Sequence, residues 1–189
     1  MLVRLALALM IVAFAVMPRI ARANDEHAAI DLIRRILQVA RENSPASLVL
    51  RSSFNTVAIA RSILGARWNS ASSKERSDFL DALRDAIAEN VVRRFGGERS
   101  DLVILRSQTL SNGDIIVLTR VKSETSGIVP VDWRVRRYDA DLYVVDLSVN
   151  GASVVVERRE QYDAWLRTNG GPITGLIPIM QVPPVQPQR

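Results

Sequence analysis

Residues 143–162, Tyr143-Val-Val-Asp-Leu-Ser-Val-Asn-Gly-Ala-Ser-Val-Val-Val-Glu-Arg-Arg-Glu-Gln-Tyr162, carry strand, turn and helix signals in one short run. Tyr143, Val145, Leu147 and Val149 stand at every second position and predict a strand with one covered face. Asn150-Gly151 follows, a dipeptide suited to a tight hairpin turn because both residues accept positive φ. A second apolar run then leads into a charged helix over Glu157 to Thr168, whose apolar positions are Tyr162, Trp165 and Leu166. Gly170-Gly171-Pro172 ends that helix.

Upstream, Val129, Val131, Trp133 and Val135 alternate with Pro130, Asp132, Arg134 and Arg136, the pattern of a half-buried strand. Before it, Ser111-Asn112-Gly113 is turn chemistry, and Asp114 to Lys122 places Ile115, Val117, Thr119 and Val121 on one face. Short turns between such strands predict an antiparallel sheet with one covered face.

Further upstream the periodicity is helical. Ala28 to Arg41 repeats apolar residues at Ile30, Ile33, Ile36, Leu37 and Ala40, and Ser44-Pro45 stops the run. Leu48 to Leu64 reads as a second helical stretch interrupted near Ser52-Ser53, with Gly65 able to end it. Ser72 to Phe95 is the longest helix: Ser72 and Glu75 have capping-box spacing, and Phe79, Leu83, Ile87, Val91 and Phe95 recur every fourth residue. Helices first, then strands, then a helix define an α+β class, with helices packed on a curved, mainly antiparallel sheet. One domain over residues 24–180 is expected. Ile173 to Met180 forms a short docked turn, and residues 181–189 form a proline-rich, disordered tail.

The amino terminus has the layout of an export signal. Arg4 supplies charge, Leu5 to Met17 an apolar core, Pro18 a break, and Ala21-Arg22-Ala23 small residues before a cut at Asn24. The apolar core, about 13 residues, is too short to cross about 30 Å of hydrocarbon. No arginine pair precedes it, which favours the general secretion route. Cleavage removes Arg4, Arg19 and Arg22 and lowers the formal charge from +5 to +2. The remaining charges are mixed in sign along the chain, which argues against a nucleic-acid partner.

Cysteine is absent, so disulfides, thiolate metal sites and a cysteine-borne lipid anchor are excluded. His27 is the single histidine and lies next to the expected cut, a poor place for a Ser-His-Asp relay. Among the sheet carboxylates, Asp132 alternates outward and Asp139 and Asp141 fall in a turn. Asp146 is left on a buried-looking strand, where a capping or ion-pairing role is the simpler reading. Gly96-Gly97 closes a helix instead of opening one, so no phosphate loop is present. No metal-ligand spacing and no cofactor motif is found, and an enzyme is not expected.

The apolar faces of the long helix and the sheet have two possible uses. They can interlock as a dry core, or part around an apolar ligand, since periodicity reports burial and not what fills the space.

Phe54-Asn-Thr-Val-Ala-Ile-Ala-Arg-Ser-Ile-Leu64-Gly65-Ala-Arg-Trp68, then Arg76 and Phe79, then Val145-Asp146 to Tyr162, resembles the MlaC-type (toluene-tolerance) family of periplasmic phospholipid-binding proteins. The resemblance runs from Asp31 to Gly170, with Leu64, Gly65 and Trp68 matching one motif and Asp146, Gly151, Ser153 and Arg159 another. Asn55, Val145 and Glu157-Arg158 depart from the pattern, where the family commonly has Asp, Tyr and Asn-Tyr. A hopanoid-associated branch is similar in pattern, so the cargo implied is a phospholipid or a polycyclic lipid.

The resemblance implies an apolar lipid cavity between the long helix and the sheet. Its expected lining is drawn from Leu64, Phe79, Leu83, Ile87, Val117, Val131, Trp133, Val135, Tyr143 and Val145, with Arg159 at a phosphate. It also implies a monomeric periplasmic carrier serving outer-membrane lipid asymmetry. Its partners would be an inner-membrane lipid ABC transporter complex and an outer-membrane lipoprotein complex. The competing classes are an exported enzyme, which requires a polar pocket and a functional Asp146, and an interaction module, which requires a filled core.

Overall fold

The computed structural model describes residues 24–45, 47–96, 102–123 and 127–180. The expected export signal, Gly97 and the proline-rich tail lie outside the described residues.

Helix α1 covers residues 24–41, with Leu32, Ile33, Ile36, Leu37 and Ala40 buried along one side. Two helices then follow in place of one long stretch: α2 (Leu48–Ser53) and α3 (Thr56–Leu64). The break falls at Phe54, whose backbone is extended and bridges in parallel to Val144, while the Asn55 N–H donates to the Val144 carbonyl at 3.0 Å. Asn55 also caps α3 by accepting from the Ala58 N–H. A short α4 (Ala66–Ser70) buries Trp68, over which the Arg76 guanidinium stacks at 5.8 Å.

Gly65 separates α3 from α4 with φ 54 and ψ −128, a conformation that disfavours any side chain. The Arg159 guanidinium lies 3.4 Å from where a Cβ would stand there. Helix α5 (Ser73–Phe95) starts with both halves of a capping box between Ser72 and Glu75.

Five strands form an open antiparallel meander in the order β1 (Leu102–Thr109), β2 (Ile115–Ser123), β3 (Gly127–Tyr138), β4 (Asp141–Val149) and β5 (Ala152–Ser153). Val117, Val131, Trp133, Val135 and Val144 share the covered face with Phe95 of α5, whose ring centre is 5.2 Å from that of Trp133. Helix α6 (Val154–Asn169) and a 3-10 helix (Ile173–Ile179) complete the α layer, the latter packed against α5 and α6. The class is the expected α+β, with helices over an antiparallel sheet.

Three local features differ from the pattern reading. Strand β1 was not anticipated. It is the sheet edge, and its ladder is broken by a shift between Ile104 and Arg106, so its burial does not alternate cleanly. In β4 the register passes from Arg134 opposite Asp146 to Val135 opposite Val144, which leaves Val145 as the extra residue of a bulge. One extra residue switches the face. Leu147 and Val149 point inward beyond the bulge as expected, but before it Leu142 and Val144 do, and Tyr143 lies opposite Arg136. The bulge occurs where Phe54 and Asn55 engage Val144, a contact from a distant segment.

The third difference is at α6, which begins at Val154. Asn150 (φ 52) and Gly151 (φ 81) make the predicted tight turn, and β5 lasts two residues. Ser153 then caps the helix by accepting from the Val156 N–H, so Val154-Val155-Val156 is helical despite its β-branched composition.

At the β1–β2 turn Asp114 is almost fully buried. It accepts from Arg136 through both carboxylate oxygens at 2.7 and 2.8 Å and from Asn112 at 3.1 Å. These bonds, Arg136 first, hold its carboxyl below the usual range against the opposing effect of burial, and the Arg134 charge adds to them. A depressed folded-state value contributes stability that is full above the unfolded value of about 3.9 and is lost as pH falls through the folded one. Asp114→Asn is therefore expected to lower the unfolding midpoint at pH 6, with the gap to the parent chain narrowing below about pH 4. Urea titrations of both chains across pH test this, and a gap constant down to pH 2 contradicts it.

Candidate functional site

A cavity of about 110 Å³ opens between α3, α5, β4 and α6. Helix α5 presents Leu83, Ala86, Ile87 and Val91 to it, which lie three or four residues apart on one side of the helix. Ile59 and Ile63 come from α3, with Phe54 beside them. The inward side of β4 supplies Val144, Leu147 and Val149. Val154, Val155 and Tyr162 of α6 and Met180 close the remaining sides. Ile87, Leu147, Val149 and Val155 are half-buried, so the apolar wall reaches toward solvent.

The β4 bulge builds this wall. It brings Val144 inward on one side and Leu147 and Val149 on the other, and it turns Asp146 toward the start of α6. One Asp146 oxygen accepts from the Leu147 and Val155 N–H groups at 2.8 and 3.1 Å, and the other accepts from Ser153 Oγ at 2.6 Å. Asp146 is thus a carboxylate clasp on a helix N-terminus, favoured also by the helix dipole. Asp146→Ala leaves those donors without their acceptor and is expected to cost about 2–3 kcal/mol in denaturant unfolding. A loss below about 0.5 kcal/mol contradicts this structural role.

Two cations join the lining, Arg94 from α5 and Arg158 from α6. Arg158 is 7% exposed, donates to Gln161 Oε1 at 2.8 Å and lies 5.9 Å from the centre of the Tyr162 ring. Burial lowers the pKa of both guanidiniums and raises that of the Tyr162 phenol.

Of the expected lining residues, the cavity brings together Leu83 and Ile87. Leu64, Phe79, Val117, Val131, Trp133 and Val135 are buried in the apolar cluster without lining it. Val145 is buried outside that cluster, and Tyr143 sits on the outer face of the sheet against Tyr138. Arg159 is exposed and covers Gly65. Of the cavity's own residues, Ala86, Val155 and Arg94 carry no signal in the sequence pattern, while Leu147 is an expected inward strand residue. The every-fourth-residue stripe from Phe79 to Phe95 drifts around α5, so it mixes Phe79, buried away from the cavity, with residues on the cavity wall.

A wider hollow between α1 and β1 is lined by Arg34, Leu37, Gln38, Arg41, Glu42 and Leu102 to Ile104, and is too open to keep water from an apolar guest. Among the described residues no group of acidic or histidine side chains converges as a metal site. Among the same residues no buried side-chain nitrogen or oxygen lacks a hydrogen-bond partner, and no helix is long and apolar enough to cross a membrane.

An α+β domain with an apolar cleft between its layers, and with the Asp146 carboxylate on that cleft engaged in a helix cap, has the make-up of a binding protein for an apolar ligand. The chain belongs to the MlaC family: the model of the family described as MlaC protein matches residues 40–181. No curated protein matches it in sequence. A solved structure, the phospholipid-binding protein from Ralstonia solanacearum in complex with a phospholipid, shares the fold. It has a TM-score of 0.62 and 13% identity, covering 82% of this chain and 93% of that one.

Proposed function

We propose that the protein is a lipid carrier that takes the acyl chains of a phospholipid into the α5–β4–α6 cleft and ferries them through the periplasm between the inner and outer membranes. The observation that carries this reading is the apolar cavity itself, supported by membership of the MlaC family and by a fold shared with a phospholipid-binding protein. The export signal read at residues 1–23 supports the compartment. An inner-membrane ABC transporter complex and an outer-membrane lipoprotein complex are the partners that such a route requires.

Two acyl chains have about thirty methylenes, so their exposure would cost on the order of 20 kcal/mol in water. A carrier must hide them. An apolar cavity of about 150 Å³ holds a molecule the size of benzene, so a cleft of about 110 Å³ must widen to admit acyl chains. Its half-buried wall of Ile87, Leu147, Val149 and Val155 is where such parting breaks the fewest contacts. Transfer from bilayer to cleft exchanges one apolar surrounding for another, so the large hydration terms nearly cancel and no covalent step is needed.

The test is organic extraction of purified residues 24–189 followed by mass spectrometry, which also distinguishes a phospholipid from a polycyclic lipid. Bound lipid at close to one molecule per chain is expected. Protein that is empty and also accepts no lipid from vesicles contradicts the carrier reading.

A further inference from the structure

One corner of the sheet's outer face mixes cations with aliphatic side chains. Thr119, Val121 and Val131 are buried on the inner face, so the residues that alternate with them, Arg120, Lys122 and Pro130, stand on the outer one. The register sets Val103 opposite Arg120, Arg120 opposite Pro130, and Lys122 opposite Ile128. Neighbouring strands lie about 4.8 Å apart, so the row Val103–Arg120–Pro130 spans about 10 Å. Leu105, the residue skipped between the Ile104–Thr119 and Arg106–Leu118 pairs, adds its side chain at the edge.

Val103, Leu105 and Ile128 are three of the six large apolar side chains exposed among the described residues, and all three fall in this corner. Arg106, Arg120 and Lys122 are exposed between them. Farther along β3, Arg134 and Arg136 are paired with Asp114 instead. The acid on the adjoining outer row is Asp132, opposite Leu118, which is half-buried and whose pKa is raised by that burial.

Cations alone would suit any acidic surface. Aliphatic side chains set among them suit a bilayer interface, where phosphates meet the cations and the acyl boundary takes the apolar groups. The corner also adjoins one end of the cleft: the next row, on the inner face, is Ile104–Thr119–Val131–Val149, and Val149 lines the cleft.

We propose that this corner, made by Val103, Leu105, Arg106, Arg120, Lys122 and Ile128, docks the protein on an anionic phospholipid surface. The choice of a bilayer as the occupant rests on the carrier reading. Docking there sets the Val149 end of the cleft beside the membrane.

The experiment co-sediments the mature chain with phosphatidylcholine vesicles and with equimolar phosphatidylglycerol–phosphatidylcholine vesicles, and a parallel arm measures capture by soluble polyglutamate. Affinity for the anionic vesicles is expected to exceed that for phosphatidylcholine by about tenfold or more and to fall as salt is raised. In R120Q/K122Q the excess should shrink to within about twofold. In V103S/I128S binding to anionic vesicles should weaken by about fivefold or more, with polyglutamate capture unchanged. Should circular dichroism show either variant unfolded, R106Q and L105S carry the same two tests. No preference for anionic vesicles in the parent chain, or a preference that R120Q/K122Q leaves intact, overturns the inference. Vesicle binding untouched in V103S/I128S, with polyglutamate captured as strongly, assigns the corner to an acidic protein and overturns the membrane role. Lipid in the cleft is read separately, by extraction. Failed docking by a chain that holds lipid leaves the carrier reading standing, and docking by a chain that neither holds nor acquires lipid overturns that reading alone.

Discussion

Ala86→Trp is expected to reduce lipid uptake from vesicles by about tenfold or more while leaving the domain folded. Ala86 lies on the α5 side of the cleft and is 4% exposed, so a larger side chain there extends into the space between α5, β4 and α6. An indole takes up most of a cavity of about 110 Å³ and removes the place where an acyl chain would start to enter. Overpacking of this kind costs about 1–3 kcal/mol, which a domain with typical stability of about 5–15 kcal/mol survives. Circular dichroism and a fluorescent-lipid transfer assay check the two halves separately. Undiminished uptake by a folded variant means that lipid enters elsewhere.

Trp133→Ala is expected to have the opposite profile, a large loss of stability of about 3–5 kcal/mol. Trp133 has no exposed surface, packs against Phe95 and donates from Nε1 to Thr119 Oγ1 at 3.2 Å. That hydroxyl in turn donates to the Val131 carbonyl at 2.6 Å, so the side chain ties the inner face of β3 to β2 as well as filling the core. The melting temperature should drop by on the order of 10 °C. Where the variant remains folded, at low temperature, its lipid uptake per folded molecule should match the parent. A selective loss of uptake with little loss of stability would place Trp133 on the ligand.

The contrast between these residues reflects what a linear pattern can carry. Helix α5, the β3 alternation and the Asn150-Gly151 turn are legible because each depends on neighbours within a few positions. The β4 bulge at Val145 is not, because it forms where Phe54 and Asn55, some ninety residues earlier, reach Val144. That single extra residue moved Tyr143 to the outer face and Val144 to the cavity. The start of α6 was hidden for a related reason: three valines signal a strand, and the Ser153 hydroxyl and the Asp146 carboxylate, which cap the first turn, outweigh that propensity. Spacing alone also cannot tell Phe79 from Ala86. Both are buried in the apolar cluster on α5, and Ala86 alone of the two also lines the cleft. Arg94 and Arg158 are far apart in sequence, and only the tertiary fold brings them to one cavity.

The site of acyl-chain binding is tested most directly by covalent capture. A phospholipid with a photoreactive group near the end of one acyl chain would be loaded from vesicles, irradiated, and its adducts mapped by peptide mass spectrometry. Labelling confined to the cleft, on residues such as Ile87 of α5, Leu147 of β4 and Val155 of α6, is the expected result. Labelling on Leu37 and Val103 in the hollow between α1 and β1, with none on the cleft, would contradict the assignment.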